Sequence, residues 1–300
     1  MQRWTVLIVL AALAFVTPAW SQVDIKLTTN REYYLPYEPI LMAIELKNNS
    51  GNPLAFKKWE DGYIACRITD MNQRQVKPFD HKLEKRPGNG HAGVRERINL
   101  ASNLVLPAGG KQKSIVQLNT HYGMAKPGSY KIRLLFSHSR LPHDLLSVPV
   151  EVTVKKGEEV KTKKVGVPTA EGGKIKFREC TLIDFRAENT KIYCLRIQDE
   201  KLVHTLVRLS SHIEGDDPQM EVDARSQLHM LIHTEPRNFT HWVYSIDGKL
   251  KQMTQYEVVN DRKPLLHRDP DIGRVMILGG RRIIPGTTAG DELPNYKAPK

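Results

Sequence analysis

Cysteine is scarce in this 300-residue chain: Cys66, Cys180 and Cys194 are too few for a disulfide scaffold. None of the three sits in a local protease signature, and no Gly-x-Ser-x-Gly elbow exists to present a catalytic serine. Aromatic residues make up only 7% of the chain. No dense basic cluster with interleaved aromatics occurs, so the usual footprint of a nucleic-acid binder is missing. Beyond residue 21 no apolar run approaches the roughly 20 residues that a membrane span needs. No long helical periodicity appears either. Asp and Glu are plentiful, but spacing alone does not single out a glycosidase pair. The sequence therefore assigns no catalytic, cofactor-binding or metal-ligating residue and implies no cofactor.

What the chain does have begins with an export signal. Arg3 supplies a short positive segment, residues 5–16 are apolar, and Pro18 precedes Ala19-Trp20-Ser21, a small-x-small cleavage pattern. This predicts a signal peptide over residues 1–21 and a soluble, secreted or periplasmic mature protein. No cysteine follows the apolar run to carry a lipid anchor.

The charge is positive and uneven. The formal net charge is +12; residues 22–155 hold 20 Lys+Arg against 12 Asp+Glu, whereas residues 174–300 hold 20 against 18. The basic character thus belongs to the first half. Outside the cytoplasm such an excess favours an anionic envelope polymer, a glycan or a protein partner, with nucleic acid excluded by the compartment.

Strand signals fill residues 22–155. Val23-Asp24-Ile25-Lys26-Leu27 alternates apolar and polar with period 2. Similar runs follow at residues 40–46, 65–68, 112–118, 130–136 and 148–154, each bounded by Gly, Pro or Asn. Short alternating strands with turn signals over about 130 residues indicate an all-β sandwich.

The punctuation of these strands resembles bacterial immunoglobulin-like domains of exported proteins. The residues that carry the likeness are Tyr34-Leu35-Pro36-Tyr37-Glu38-Pro39 entering a strand and Leu46-Lys47-Asn48-Asn49-Ser50-Gly51 leaving it. Leu106-Pro107-Ala108-Gly109-Gly110 in a loop and Pro127-Gly128-Ser129-Tyr130-Lys131-Ile132 complete it. The resemblance implies that Tyr130 acts as a tyrosine corner, its hydroxyl bonding back to upstream backbone. Ile132 stands two positions after it, so the antibody-type inter-sheet disulfide is not implied. The likeness covers under half of the chain and speaks to fold rather than function.

Gly88-Asn89-Gly90-His91-Ala92-Gly93 spells G-x-G-x-x-G. A dinucleotide site needs that spacing between a buried strand and a helix, but here it follows a charged segment ending in Pro87. It reads as a flexible glycine loop. Residues 156–173, rich in charge, Pro and Gly, read as an interdomain linker with at most a short strand near residues 165–167.

A second antiparallel β-rich domain is expected over residues 174–285, with strands at 175–185, 191–197, 202–209, 228–232, 242–246, 250–256 and 275–278. Residues 286–300 read as a disordered tail, dense in Gly, Thr, Pro and Lys. Cys180 and Cys194 lie on the two arms of a hairpin turning at residues 187–190. If Arg186 faces Lys191, Cys180 faces Ile197, and the thiols stand about 10 Å apart along the strand, too far for a bridge without a bulge.

An internal repeat at an offset of 46 aligns residues 223–231 with 269–277, and Ser245-Ile246-Asp247-Gly248 is similar to part of the aspartate box of sialidase-type propellers. Some 127 residues supply three blades at most, short of the four needed for closure. The segment is thus either a partial set of blade-like hairpins or a compact β domain sharing their rhythm, and the second is the reading adopted. His229 and His233 are the strongest metal candidates, since i and i+4 share a helical face. Asp217-Pro218 would cap such a helix. On a strand, however, the same spacing holds the rings about 13 Å apart. His241 and His267 have no readable geometry. Asn48-Asn49-Ser50 and Asn238-Phe239-Thr240 match glycosylation sequons.

The expected protein is therefore mainly β: an N-terminal immunoglobulin-like β-sandwich followed by a second antiparallel β-rich domain. The expected role is an exported, non-catalytic binding or structural protein of the cell envelope or secreted space. The alternative is a glycan-acting enzyme or enzyme subunit with sialidase-like β repeats.

Overall fold

The structure, a computed structural model, describes residues 22–58, 60–79, 99–101, 103–168 and 175–284. The expected signal segment, the glycine loop 88–93 and the expected tail 286–300 lie outside the described residues. The chain divides into two compact units, Met1–Lys155 and Lys156–Lys300. The fold is mainly β, and no helix among the described residues is long and apolar enough to cross a membrane.

The first unit contains β1 (Val23–Thr29), β2 (Tyr33–Tyr34), β3 (Leu41–Asn48), β4 (Leu54–Ala55), β5 (Gly62–Asp70), β6 (Val105–Leu106) and β7 (Lys111–Gln117). A 3-10 turn at Leu118–Thr120 precedes β8 (Gly128–His138), β9 (Leu145–Leu146) and β10 (Val150–Val154). Two sheets share one core. One is ordered β1-β3-β7; the other is β2-β10-β8-β5 with β9 alongside β8, and β4 pairs with β6 separately. Every pairing is antiparallel except β2 with β10.

Alternation explains this arrangement. Val23 and Leu27 of β1, Met42, Ile44 and Leu46 of β3, and Ile132, Leu134 and Phe136 of β8 all point into one buried cluster, with charged residues between them. Each fully buried Ile, Leu or Phe contributes about 1.5–3 kcal/mol relative to exposure. Phe56 packs edge-on against Phe136, with ring centroids 5.3 Å apart. The Tyr130 hydroxyl donates to the Lys126 carbonyl at 2.7 Å, the backward bond that its Gly-x-Tyr setting implies. β5 opens on Gly62 at φ +146°, where a Cβ would stand 2.2 Å from the Ser137 carbonyl oxygen; only glycine fits.

The loop between β2 and β3 is held by a buried carboxylate. Glu38, 4% exposed, accepts the Leu35 N–H at 2.9 Å through Oε2 and the Arg31 guanidinium at 3.2 Å through Oε1. Asn48 is fully buried: its Nδ2 donates to the carbonyls of Asn52, Leu106 and Pro107. Its amide is thus consumed by the fold, so the first sequon is not available for glycosylation in the folded protein.

The second unit contains β11 (Glu158–Pro168), β12 (Ile175–Ala187), β13 (Thr190–Gln198), β14 (Val203–Ser211), β15 (Gln219–Val222), β16 (Gln227–Glu235), β17 (Asn238–Ser245), β18 (Leu250–Glu257), β19 (Leu265–Arg268), β20 (Val275–Leu278) and β21 (Arg281–Arg282). β11-β12-β13-β14 form one up-and-down sheet, and β15-β16-β17-β18-β21 form another. They share a core that includes Leu182, Leu195 and Ile197 from the first and Leu228, Met230 and Trp242 from the second. The β19–β20 hairpin contacts β15 and β16.

Three expectations need correction or completion. Residues 156–173 are not a linker throughout, because β11 runs the length of β12. β11 is an edge strand, and edge strands carry Lys and Glu to discourage pairing with other chains; that composition mimics a linker. Residues 219–222, where a helix start was conceivable, form β15, with Met220 turned into the core. The offset-46 likeness comes from turn chemistry. Asp223 Oδ1 accepts the N–H groups of Arg225 and Gln227, and Asp269 Oδ1 accepts those of Asp271 and Ile272. Asp70 and Asp199 head similar turns.

The β12–β13 register places Arg186 opposite Lys191 and Cys180 opposite Ile197, while Cys194 faces Ile183. Cys66, Cys180 and Cys194 are all buried, and none is joined in a disulfide.

Candidate functional site

Part of the basic character of the first unit is displayed on its two sheets, by Lys26, Lys47, Lys111 and Lys113 on one and Arg67, Lys131 and Arg133 on the other. On the β1-β3-β7 sheet the register lines up Asp24, Lys47 and Lys111 in one row and Lys26, Glu45 and Lys113 in the next. These residues border a shallow groove of about 420 Å³. The charges there are largely answered. Lys113 pairs with Glu45 at 3.0 Å, and Asn49 donates to Asp24 at 2.8 Å. The Glu45 carboxyl is held below its usual range, first by Lys113 and then by the lysines around it.

The outer face of the other sheet is different. β5 and β8 pair so that Arg67 stands directly opposite Arg133. Cys66 and Ile68 flank Arg67, and Ile132 and Leu134 flank Arg133; all four are buried, so period 2 turns both arginines outward into solvent. In the neighbouring row Lys131 faces both Thr69 and Glu151 and pairs with Glu151 at 3.0 Å. Neither guanidinium has an ion-pair partner among the described residues. Like charges directly opposite across an antiparallel pair are destabilising by roughly 0.2–1 kcal/mol. An anion placed between the two guanidinium forks reverses the sign of that interaction, because each fork offers two parallel N–H donors to a carboxylate, sulfate or phosphate.

The second unit gathers histidines beside carboxylates. His229 on β16 and His241 on β17 stack with ring centroids 5.2 Å apart, and His229 Nδ1 lies 3.1 Å from His241 Nε2. His229 Nε2 lies 3.4 Å from Asp223 Oδ2. Neutral tautomers meet all of these contacts: His241 Nε2–H donates to His229 Nδ1, and His229 Nε2–H donates to Asp223. Burial, with His229 alongside, pushes the His241 ring down to about 4. Burial also lowers the His229 ring, partly opposed by Asp223. His241 Nδ1 is buried and has no hydrogen-bond partner among the described residues.

His233, the other metal candidate, belongs to a separate group. It stacks on Phe239 at 4.4 Å, its Nδ1 is 2.5 Å from Asp216, and Lys263 reaches the same carboxylate at 2.6 Å. β16 is a strand, so His229 and His233 are held about 13 Å apart along it. His267 is exposed on β19 opposite Met276. Among the described residues no group of three or more His, Cys, Asp or Glu is placed to hold a metal ion.

The remaining motif residues serve the fold. Ser245-Ile246-Asp247-Gly248 forms the β17–β18 turn: Gly248 N–H donates to the Ser245 carbonyl, and Asp247 pairs with Arg178 at 3.0 Å. Gly248 sits at φ +80° with Thr205 where a Cβ would lie. Burial pushes the Cys66 and Cys180 thiols up to about 12, which suppresses the thiolate that redox or nucleophilic chemistry requires.

The facing arginines were not visible in the sequence. Each one reads locally as an outward strand position, but 65 intervening residues separate them, and only the β5–β8 register brings them together.

No family model and no curated protein matches the chain. Among solved structures, the sporulation control protein Spo0M from Bacillus subtilis is similar at a TM-score of 0.28 and 8% identity, over 63% of this chain and 90% of that one. So slight a likeness carries no inference here.

Proposed function

We propose that this is an exported, non-catalytic binding protein whose first unit, an immunoglobulin-like sandwich, presents a basic sheet face to an anionic polymer of the envelope or secreted space. The observation that carries the reading is the Arg67–Arg133 pair: two exposed arginines at directly opposed strand positions, neither with an ion-pair partner among the described residues. The surplus of positive charge in residues 22–155 supports it, as does the apolar segment with a cleavage pattern at the N-terminus. The Tyr130-to-Lys126 bond and two sheets on one core support the immunoglobulin-like assignment.

Binding at this face needs only regularly spaced negative groups, so sulfated polysaccharide and polyphosphate should both be retained. The test is elution of the full chain from an immobilised sulfated polysaccharide as salt rises. Arg133→Glu should elute at clearly lower salt than the unsubstituted protein, with unchanged circular dichroism. Co-elution of the two proteins would remove the basis for the reading.

A further inference from the structure

The β15-β16-β17-β18-β21 sheet carries buried residues on both of its faces. Leu228, Met230 and Trp242 face the core shared with the other sheet. Period 2 turns His229, Leu231, His241 and Val243 to the opposite face, yet they are only 8%, 1%, 6% and 4% exposed. The β19–β20 hairpin lies over that face. It packs on β15 and β16, and the Leu266 N–H donates to Gln219 Oε1 at 2.7 Å. Gln219 stands in the cross-strand row of Leu231 and His241. At the hairpin tip the Ala224 N–H donates to the Gly273 carbonyl at 2.9 Å, next in sequence to the Asp223 that His229 contacts.

The hairpin hangs from two narrow joints. Asn260 and Asp261, at φ 49° and 57°, form the turn leading in, closed by the Arg262 N–H on the Val259 carbonyl at 2.9 Å. Gly279 and Gly280, at φ +73° and +68°, lead out. Glycine moves between left-handed and right-handed backbone at little cost, so the second joint is a ready hinge. Lys263 ties the root of the hairpin to Asp216 at 2.6 Å. That lysine, before any other cause, holds the Asp216 carboxyl below its usual range, so the root contact persists in mild acid. The tip and the Leu266 contact rest instead beside the buried histidines.

We infer that the β19–β20 hairpin is an acid-released flap: a proton taken up by the His229–His241 pair finds no acceptor beneath it, and swinging out about Gly279–Gly280 admits water to the rings. In the closed state His241 Nε2–H donates to His229 Nδ1 at 3.1 Å, and His229 Nε2–H faces Asp223 Oδ2 at 3.4 Å. A proton added to His229 must enter at Nδ1, which sets two N–H groups against each other. A proton added to His241 must enter at Nδ1, which is buried and has no hydrogen-bond partner among the described residues. Either cation is mispaired in the closed state and costly to bury. The charged and titratable groups around the pair come from every layer. Glu221 of β15 stands opposite His229 and pairs with Lys163, and Asp223 contacts His229 from the β15–β16 turn. On β16, His233 lies on the same face with Asp216 and Lys263; on β18, Tyr256 lies 6.4 Å from His241. Val275 of β20 is buried, so its cross-strand partner Arg268 stands on the inward row of the hairpin. The carboxylates favour a first proton; Arg268 and the adjoining ring oppose it. Burial decides the balance, and both rings are held below the ordinary histidine range. This device is independent of the Arg67–Arg133 pair.

The experiment is amide hydrogen exchange on the full chain at pH 7 and pH 5, expressed as protection relative to the free-peptide rate at each pH. A ring that titrates near 4 when covered and near 6.5 in water shifts the opening equilibrium by about twentyfold between these two values. Peptides spanning residues 264–279 should lose protection by about that factor, while those spanning β12 and β13 keep theirs. His241→Gln should abolish most of the loss. Nitrogen-15 histidine NMR of the unsubstituted protein keeps the test sound if that variant fails to fold. It should show the His241 ring protonated at Nε2 alone at pH 7, with the cation appearing over the same pH range in which the hairpin loses protection. Unchanged protection of residues 264–279 at pH 5 would overturn the inference. So would an equal loss across the whole second unit, or a histidine titration separated from the loss of protection.

Discussion

Arg67 and Arg133 occupy directly opposed positions on β5 and β8, both facing solvent, and neither forms an ion pair among the described residues. A sheet selected for stability alone gains by replacing either one. Arg67→Thr is therefore predicted to raise unfolding stability by about 0.2–1 kcal/mol, from relieved repulsion and better strand propensity. The same substitution should weaken polyanion binding. Chemical denaturation and a binding titration on one preparation check both signs together; a loss of stability would mean that the pair is structural.

Acid should destabilise the second unit earlier than carboxylate titration alone allows. His241 titrates near 4 in the fold, against an ordinary value of 6.5, and His229 is also lowered. The charged rings are thus disfavoured by folding. Their contribution is fully present above about pH 6.5, is lost as pH falls toward 4, and is constant below that. For His241 the loss amounts to roughly 3 kcal/mol. The groups facing this pair are Asp223, which partly opposes the effect at His229, and Tyr256, whose ring lies 6.4 Å from that of His241. Urea unfolding at pH 7, 5.5 and 4.5 should show the decline, and His241→Gln should flatten it.

The thiols should be silent in the native protein. Cys66 and Cys180 titrate near 12, and Cys194 is fully buried with Ile183 opposite it. A thiol reagent at pH 8 should label none of them until denaturant is added. Intact mass should be unchanged by reductant; a loss of 2 Da in the unreduced protein would contradict the register.

Glu38 should be costly to change. Glu38→Gln weakens the contact with Arg31 and the acceptor for Leu35 N–H inside a buried loop. A loss of about 1–3 kcal/mol is expected. Glu60→Gln, whose carboxylate is exposed, supplies the control and should stay within about 0.5 kcal/mol.

Alternation made much of the β framework readable. Val23 to Leu27 and Tyr130 to Phe136 announced their buried faces, and the residue 187–190 turn fixed the Cys180–Ile197 register because a hairpin's pairing is local. β11 reads as linker because Lys161 and Lys164 sit on an edge strand and Lys163 pairs with Glu221 of β15, which removes the apolar signal. The Asp223 and Asp269 similarity looked like a repeat unit because two turns solve one hydrogen-bonding problem with the same residue. The candidate sites were less legible. The opposition of Arg67 to Arg133 depends on nonlocal pairing.

The central claim is most directly tested by calorimetric titration of the full chain with a sulfated polysaccharide at low and physiological salt, alongside Arg67→Ala/Arg133→Ala. The account predicts binding that weakens with salt and falls about tenfold or more in the double variant, with its thermal midpoint preserved or raised. Equal affinity in the two proteins, or no binding by the unsubstituted chain at low salt, would contradict it.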